Sequence, residues 1–373
     1  MRLFVGLGGL IVLLLGVYLY FIIGRLLGMC LPQTPKWLRR IVSGVLAAAM
    51  ALPAWNLFGL WAMILLHFAA VSALVQLVRW IMGRAGRRWT GKWDAVYRSS
   101  LLALAVTAAI LGYAYVNMHH VVVTEYTVFT EKPIRPEGYD ILFLSDLHFG
   151  TTMDEADLLE YCRDMAAAQP DVVILGGDIV DESATLEQVR AAFAALGRIP
   201  SAYGAYYVYG NHDKGRYFAN CDFTPTELAQ AVQSAGVHIL EDETVSLGDE
   251  LTISGRRDRS DANMDQRPRT PAESLLQSVP GNSFHILADH QPREMAQNAA
   301  AGFDLMLSGH THAGQIWPVG LITTLFDRGT VNYGRESFGR MELVVSSGMA
   351  GWGYPFRTGK HSEYVLVHVK TSA

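Results

Sequence analysis

Residues 141–148 read ILFLSDLH, and residues 305–315 read LMLSGHTHAGQ. Each is an apolar run of strand length that ends and then delivers an acid or an imidazole. Three further stretches repeat the arrangement. Val172 to Leu175 is followed by Gly176-Gly177-Asp178, Tyr206 to Tyr209 by Gly210-Asn211-His212-Asp213, and Phe284 to Leu287 by Asp289-His290 after one alanine. Short buried runs flanked by glycine read as strands of a layered α/β domain. Open α/β sheets bind ligands beyond the carboxyl ends of their strands, where these polar residues fall.

The surrounding sequence supports that reading. Helical periodicity covers 154–168, 185–196 and 226–235. Further strands are expected at 121–129, 251–254, 343–346 and 364–369, so strands alternate with helices as in α/β folds. The most polar stretch, 255–270 (GRRDRSDANMDQRPRT), reads as an exposed loop, although Arg256, Arg257 and Asp258 follow a strand and could instead hold an anion. Singly, each polar piece has a plainer meaning: Asp178 as a helix cap, His310 and His312 as loop histidines. Five strand exits in one order argue for a shared site. In extended backbone, side chains repeat every two residues, so Asp146 and His148 share a side, as do His310 and His312. Carboxylates and neutral imidazoles suit Mn²⁺, Fe²⁺ and Zn²⁺, and one carboxylate such as Asp178 can bridge two ions.

The ordered set DxH, GGD, GNHD, a lone His and GHTH resembles the calcineurin-like metallophosphoesterase superfamily. The GHTHAGQ ending and the apolar N-terminal part look most like its membrane-linked (YkuE/YaeI-like) branch, which includes transmembrane proteins with a metallophosphoesterase domain. The resemblance covers roughly residues 120–373. It implies a four-layer α/β/β/α sandwich and a dinuclear centre. Asp146, His148 and His312 would bind one divalent ion, and Asn211, His290 and His310 the other, with Asp178 between them. A bridging hydroxide would attack phosphorus. His212 would contact the phosphate and protonate the leaving oxygen, with Asp213 orienting it. The acid Asp289 stands where many relatives carry a small residue. Trp352, Tyr354 and Arg357 resemble a glycine-rich closing segment, which would either shape the substrate pocket or pack the sandwich edge.

The rest of the chain is of another kind. Of 373 residues, half are hydrophobic and 17% charged, against about 25% charged in soluble domains. That excludes global disorder. The net charge of −5 hides a division: residues 1–118 carry eleven Lys/Arg against Asp94 alone, and residues 119–373 carry nineteen against thirty-four acids. The boundary between a transmembrane region and a catalytic domain is therefore expected at 118/119. Uncharged runs at Leu3 to Gly24, Ile41 to Val78 and Ser99 to Met118 accommodate four spans, near 3–24, 39–55, 57–79 and 99–118, with a hairpin at Pro53 to Asn56. The first run exceeds the apolar core of a signal peptide. Basic loops lie at Arg25 to Arg40 and at Arg84, Arg87, Arg88, Lys92 and Arg98. Positive charge marks the cytoplasmic side, so the catalytic domain is expected outside. His67, within span three, reads as a hydrogen-bonded packing residue. Cys30, Cys162 and Cys221 form no CxxC pair and read as small buried side chains.

These readings point to a membrane-anchored, metal-dependent phosphohydrolase, either phosphodiesterase or phosphomonoesterase, acting on envelope or lipid-linked phosphates. The alternatives are an inner-leaflet sugar-nucleotide lipid pyrophosphatase, which needs the domain inside, and a metal-binding membrane sensor without turnover. A nucleic-acid partner is not expected, because the acidic domain would repel a polyanion.

Overall fold

The computed structural model describes residues 2–57, 59–87, 89–218 and 220–372, which leaves Arg88 of the second basic loop outside. The chain divides into two compact units, Met1–Ala114 and Tyr115–Ala373.

The first unit is helical. Helices α1 (Arg2–Cys30), α2 (Lys36–Ala51), α3 (Leu60–Arg84), the short α4 (Lys92–Arg98) and α5 (Leu101–His119) follow in order, the last turn of α5 from Tyr115 onward belonging to the second unit, and a 3₁₀ turn at Leu52–Trp55 links α2 to α3. Among the described residues, four stretches are long and apolar enough to cross a membrane: Gly8–Cys30, Lys36–Trp55, Leu60–Arg84 and Leu101–His119. Arg25 does not end α1, since a single arginine is a good helix former and continues the last turns. His67 bonds the carbonyl of Met63 through Nδ1 at 2.8 Å, as a packing residue would. Asp94 pairs with Arg79 at 2.8 Å and with Arg98 at 2.6 Å, so the one acid of this unit serves its own basic side chains.

Among its described residues the second unit contains twelve strands: β1 (Val121–Thr130), β2 (Tyr139–Leu144), β3 (Val172–Leu175), β4 (Ala205–Tyr207), β5 (Val237–Ile239), β6 (Glu243–Leu247), β7 (Leu251–Gly255), β8 (Phe284–Ala288), β9 (Leu305–Ser308), β10 (Gly334–Phe338), β11 (Met341–Val345) and β12 (Ser362–Thr371). They form two mixed sheets in the orders β1-β12-β2-β3-β4-β5 and β10-β11-β9-β8-β7-β6. Helices α6 (Glu155–Ala167), α7 (Leu186–Leu196) and α8 (Pro225–Ser234) follow strands of the first sheet. Helices α9 (Arg259–Met264), α10 (Ala272–Leu275), α11 (Met295–Ala301) and α12 (Val319–Phe326) are interleaved with the second.

Alternation along the strands explains the layers. Leu142 and Leu144 pack with Val173 and Leu175 against Leu158, Phe193 and Val232 of α6, α7 and α8. Their neighbours Ile141, Phe143, Val172 and Ile174 point the other way, onto Leu251, Ile253, Ile286 and Leu305 of the second sheet. The far side of that sheet, with Leu287, Met306 and Leu343, meets Leu275 of α10 and Met295 of α11. Helix, sheet, sheet and helix thus stack over three apolar seams, as a period of two in wholly buried strands requires. Asp154, Thr185 and Thr224 cap α6, α7 and α8 with reciprocal capping boxes.

The expected exposed loop at 255–270 is corrected. Gly255 to Asp258 are buried and Arg259–Met264 is helical. Arg256 is buried beside Asp242 at 3.4 Å, and Arg257 pairs with Glu241 and Asp265, so local carboxylates rather than water receive these charges. All three cysteines are free; Cys162 is buried as expected, Cys221 is half-buried and Cys30 is exposed.

Candidate metal centre

The five strand exits converge. β2, β3 and β4 run parallel in one sheet, and β7, β8 and β9 run parallel in the other, so their carboxyl ends collect at one end of the sandwich. There the side chains form two groups, Asp146 with His148 and His312, and Asp178 with His290 and His310, each with ligand atoms within 4.8 Å of one another. Asp178 Oδ2 is 3.1 Å from His290 Nε2 and 3.8 Å from His148 Nε2, which sets this carboxylate between the groups.

The backbone is not extended here. Asp146, His148, Asp178, His310 and His312 all have positive φ, between 40° and 71°. Such left-handed residues carry strain that surrounding structure must hold, and they concentrate at functional sites. The turn replaces strand alternation: His310 and His312 enter different groups, in the division that the family resemblance implies, while Asp146 and His148 stay together. Gly309 and Gly210 permit the tight passage, because a Cβ on either would collide with the carboxylate of Asp146 or of Asp178.

Supporting contacts fix each side chain. Asp146 accepts the Ser145 hydroxyl at 2.5 Å and the His310 N–H at 2.9 and 3.0 Å. Asp178 Oδ1 accepts the His212 N–H at 2.8 Å. The Nδ1 edge of His290 meets the Gly176 carbonyl at 2.8 Å, turning Nε2 toward Asp178. Asp213 acts on the backbone. Its carboxylate accepts the N–H groups of Gly210, Asp178, Ile179 and Val180 at 2.6–3.1 Å and ties the exits of β3 and β4 together. The carboxylate on the His212 ring is Glu182, 3.0 Å from Nδ1.

Electrostatics match a site short of positive charge. Burial disfavours a charged His290, yet Asp178 and then Asp146 lift its pKa well above the ordinary value. Burial likewise opposes ionised Asp178, and His290 outweighs it. His310 and His312 are pushed down to about 4 and about 3, chiefly by burial, so both rings are neutral as ligands must be. Burial also works against His212 protonation, but the bond to Glu182 and the charge of Asp178 raise it to about 9. Asp213 rises to about 6 through burial and the neighbouring Asp178.

The donor set fits divalent cations. His148 Nε2, Asn211 Oδ1 and His312 Nδ1 are buried with no hydrogen-bond partner among the described residues, and His290 Nε2 faces the Asp178 carboxylate. Uncompensated buried polar atoms cost about 1–3 kcal/mol each, and cation ligation removes that cost. Asn211 is fixed by its neighbours, Gly210 N–H bonding Asp213 and His212 N–H bonding Asp178.

Other expected residues divide in role. The His212 and Trp352 rings lie 5.5 Å apart, which places Trp352 at the site. Arg357 is wholly buried and donates to the carbonyls of His312, Ser347 and Ala350, so it packs and positions the closing segment. Asp289 pairs with Arg269, which neutralises the extra acid beside His290. Glu182, Ser145 and Arg269 were not expected from the sequence. The one signal for Glu182 is the acidic pair Asp181-Glu182 just after the GGD turn.

The family model for calcineurin-like phosphoesterases matches residues 139–314. The transmembrane protein with metallophosphoesterase domain of Bos taurus is 28% identical over 84% of this chain and 72% of its own length. A metallophosphoesterase of Campylobacter jejuni is 27% identical over 79% of this chain and 75% of its own. The metallophosphoesterase YkuE of Bacillus subtilis is 30% identical over 58% of this chain and 74% of its own.

Proposed function

We propose, since the chain belongs to the calcineurin-like metallophosphoesterase family and is a phosphoester hydrolase, that it is a membrane-anchored two-metal enzyme acting on phosphoesters outside the cytoplasm. The observation that carries the reading is the meeting of the two ligand groups at Asp178. Asp146, His148 and His312 would hold one divalent ion. Asp178, His290, His310 and Asn211 would hold the other. Bound there, such ions supply charge neutralisation at the phosphoryl oxygens and a nucleophile at neutral pH. The chain supplies the rest. Glu182 engages Nδ1 of His212 and keeps the ring charged, which leaves Nε2 to pass a proton to the leaving oxygen. Asp213 holds the backbone that presents Asp178 and Asn211. Trp352 walls the site beside His212.

The domain division at 118/119 and the outward orientation rest on the apolar helices and on the basic loops. Envelope phosphates, lipid-linked or derived from the cell wall, are then the substrates within reach. Asp178→Ala and Asn211→Ala are expected to abolish metal-dependent hydrolysis of an aryl phosphodiester, and full activity in either variant would refute the site. A reporter fused after Ala373 separates an outside enzyme from a pyrophosphatase of the inner leaflet.

A further inference from the structure

Beyond the metal groups the chain turns apolar and stays on the surface. Trp317 is 70% exposed, Leu321 55%, Leu325 61% and Phe326 84%, and no residue of α12 is buried. No charged residue occurs between Gln315 and Asp327. The only hydroxyls of the helix, on Thr323 and Thr324, bond the carbonyls of Val319 and Gly320 at 3.1 and 3.0 Å. The helix therefore offers water almost nothing polar. Isolated exposed apolar residues need no explanation, but a contiguous apolar surface marks a partner.

The partner follows from where α12 is rooted. The Trp317 N–H donates to Thr358 Oγ1 at 2.8 Å, and the Thr358 N–H donates to the Gln315 carbonyl at 3.0 Å. The next residue back along the chain, Arg357, accepts from Asn117 Nδ2 at 3.0 Å, and Lys360 accepts from the same amide at 3.1 Å. Ser362 Oγ adds a bond to the Met118 carbonyl at 2.8 Å. Asn117 and Met118 form the last turn of α5, one of the four stretches of membrane-spanning length. Consecutive Cα atoms lie about 3.8 Å apart, so the anchor of α12 and the anchor of that last turn are adjacent on one strip of backbone. A bilayer that reaches the last turn of α5 is thereby brought to α12. Exposed Lys360 lies on the strip and exposed Arg328 follows the end of α12, where both suit lipid phosphates, and Trp317 is the residue type that settles at the membrane–water boundary.

We propose that α12 lies in the headgroup–acyl boundary of the bilayer as an interfacial helix, so that the metal centre works at the lipid surface on an amphiphilic phosphoester. The docking rests on the exposed apolar helix and on the membrane-spanning reading of α5, while the substrate class rests on the hydrolase reading above. The link to the site is short. Gln315 Nε2 donates to the carbonyls of Trp352 and Tyr354 at 3.2 Å, and Trp352 is the wall beside His212. Interfacial helices sink about 5–10 Å into that boundary.

The test uses the full chain, with Cys30, Cys162 and Cys221 replaced by alanine, in vesicles of phosphatidylcholine and phosphatidylglycerol. An environment-sensitive NBD probe is placed at Leu325→Cys, at Phe326→Cys or, as control, at Asp249→Cys in the turn between β6 and β7. At 325 and 326 the emission is expected to shift to the blue and to lose most of its intensity to nitroxide-bearing lipids, with neither change at 249. Water-like emission at 325 and 326, equal to that at 249, overturns the proposal. So does a blue shift without lipid quenching, which would mean that protein, a second copy or another partner, covers the helix. Should the cysteine-free chain fail to fold, the quenching by brominated lipids lost on Trp317→Tyr in the otherwise unaltered chain decides the matter. Neither readout needs turnover: lipid contact in an inert chain would leave docking intact and refute hydrolysis, and activity with water-exposed probes would do the reverse.

Discussion

Glu182 Oε2 lies 3.0 Å from His212 Nδ1 and is the carboxylate that keeps this ring charged. Burial alone would discharge the ring, and the Glu182 bond is the largest opposing effect, which brings the pKa to about 9. A group that donates a proton works only below its pKa, so activity should fall as pH rises through the His212 value. Glu182→Gln is expected to move that alkaline limb down by about one pH unit, the worth of roughly 1.4 kcal/mol. His212→Asn should remove the limb and slow esters of poor leaving groups most. A limb unmoved in Glu182→Gln would show that His212 is not the proton donor.

Metal binding should appear as stability without any assay of turnover. Ligation of the buried, unpartnered atoms of His148, Asn211 and His312 favours the folded chain only. At a free-ion concentration of about 100 times Kd the gain is about 2.7 kcal/mol. For a unit of this size that corresponds to roughly 5–10 °C in Tm. Chelation should lower the melting temperature by that amount and added Mn²⁺ or Zn²⁺ restore it. Asp178→Ala should keep only a small part of that shift, since the group of Asp146, His148 and His312 remains.

Much of this centre was legible in the sequence, and the illegible part has a physical reason. Asp146, His148, Asp178, Asn211, His290, His310 and His312 announce themselves because each follows a strand, and parallel strands bring their carboxyl ends together. The division of His310 from His312 was legible only through the family resemblance and not from strand alternation, since it depends on left-handed backbone at non-glycine residues. Glu182 and Arg269 were missed because tertiary packing brings them to His212 and Asp289. Arg256 and Arg257 misled for the opposite reason: a charge-rich run reads as solvated until partners such as Asp242 and Glu241 are in place.

The Arg269–Asp289 pair should be costly to halve. Asp289 is fully buried next to His290, and Arg269 is its closest cation. Burial raises the Asp289 pKa and the Arg269 charge opposes that rise. Breaking such a pair by removing one member typically costs about 3–5 kcal/mol. Arg269→Met should therefore destabilise the chain by an amount in that range. Arg269→Met with Asp289→Asn should recover much of the loss, because no unpaired charge is left buried. Equal destabilisation in the single and double variants, measured by denaturant melts, would mean that packing rather than charge is at stake.

His285 predicts an acid-sensitive fold well away from the metal ligands. The ring is buried, with Nδ1 2.5 Å from Thr252 Oγ1 and 3.3 Å from Ser283 Oγ. Burial first, and then the Lys132 cation, push its pKa down to about 4, with Asp304 opposing. The unfolded ring titrates near 6.5. Between these values the unfolded chain binds more protons than the folded one, so stability rises with pH there. The contribution of His285 is complete above about pH 6.5 and is lost as pH falls toward 4. His285→Asn keeps an acceptor near the hydroxyls but cannot take up a proton in this range. The melting temperature of the unaltered chain should thus fall more steeply than that of His285→Asn between pH 6.5 and 4.5. Parallel slopes would show that the ring is protonated in the folded state, or solvated enough that burial does not hold it neutral.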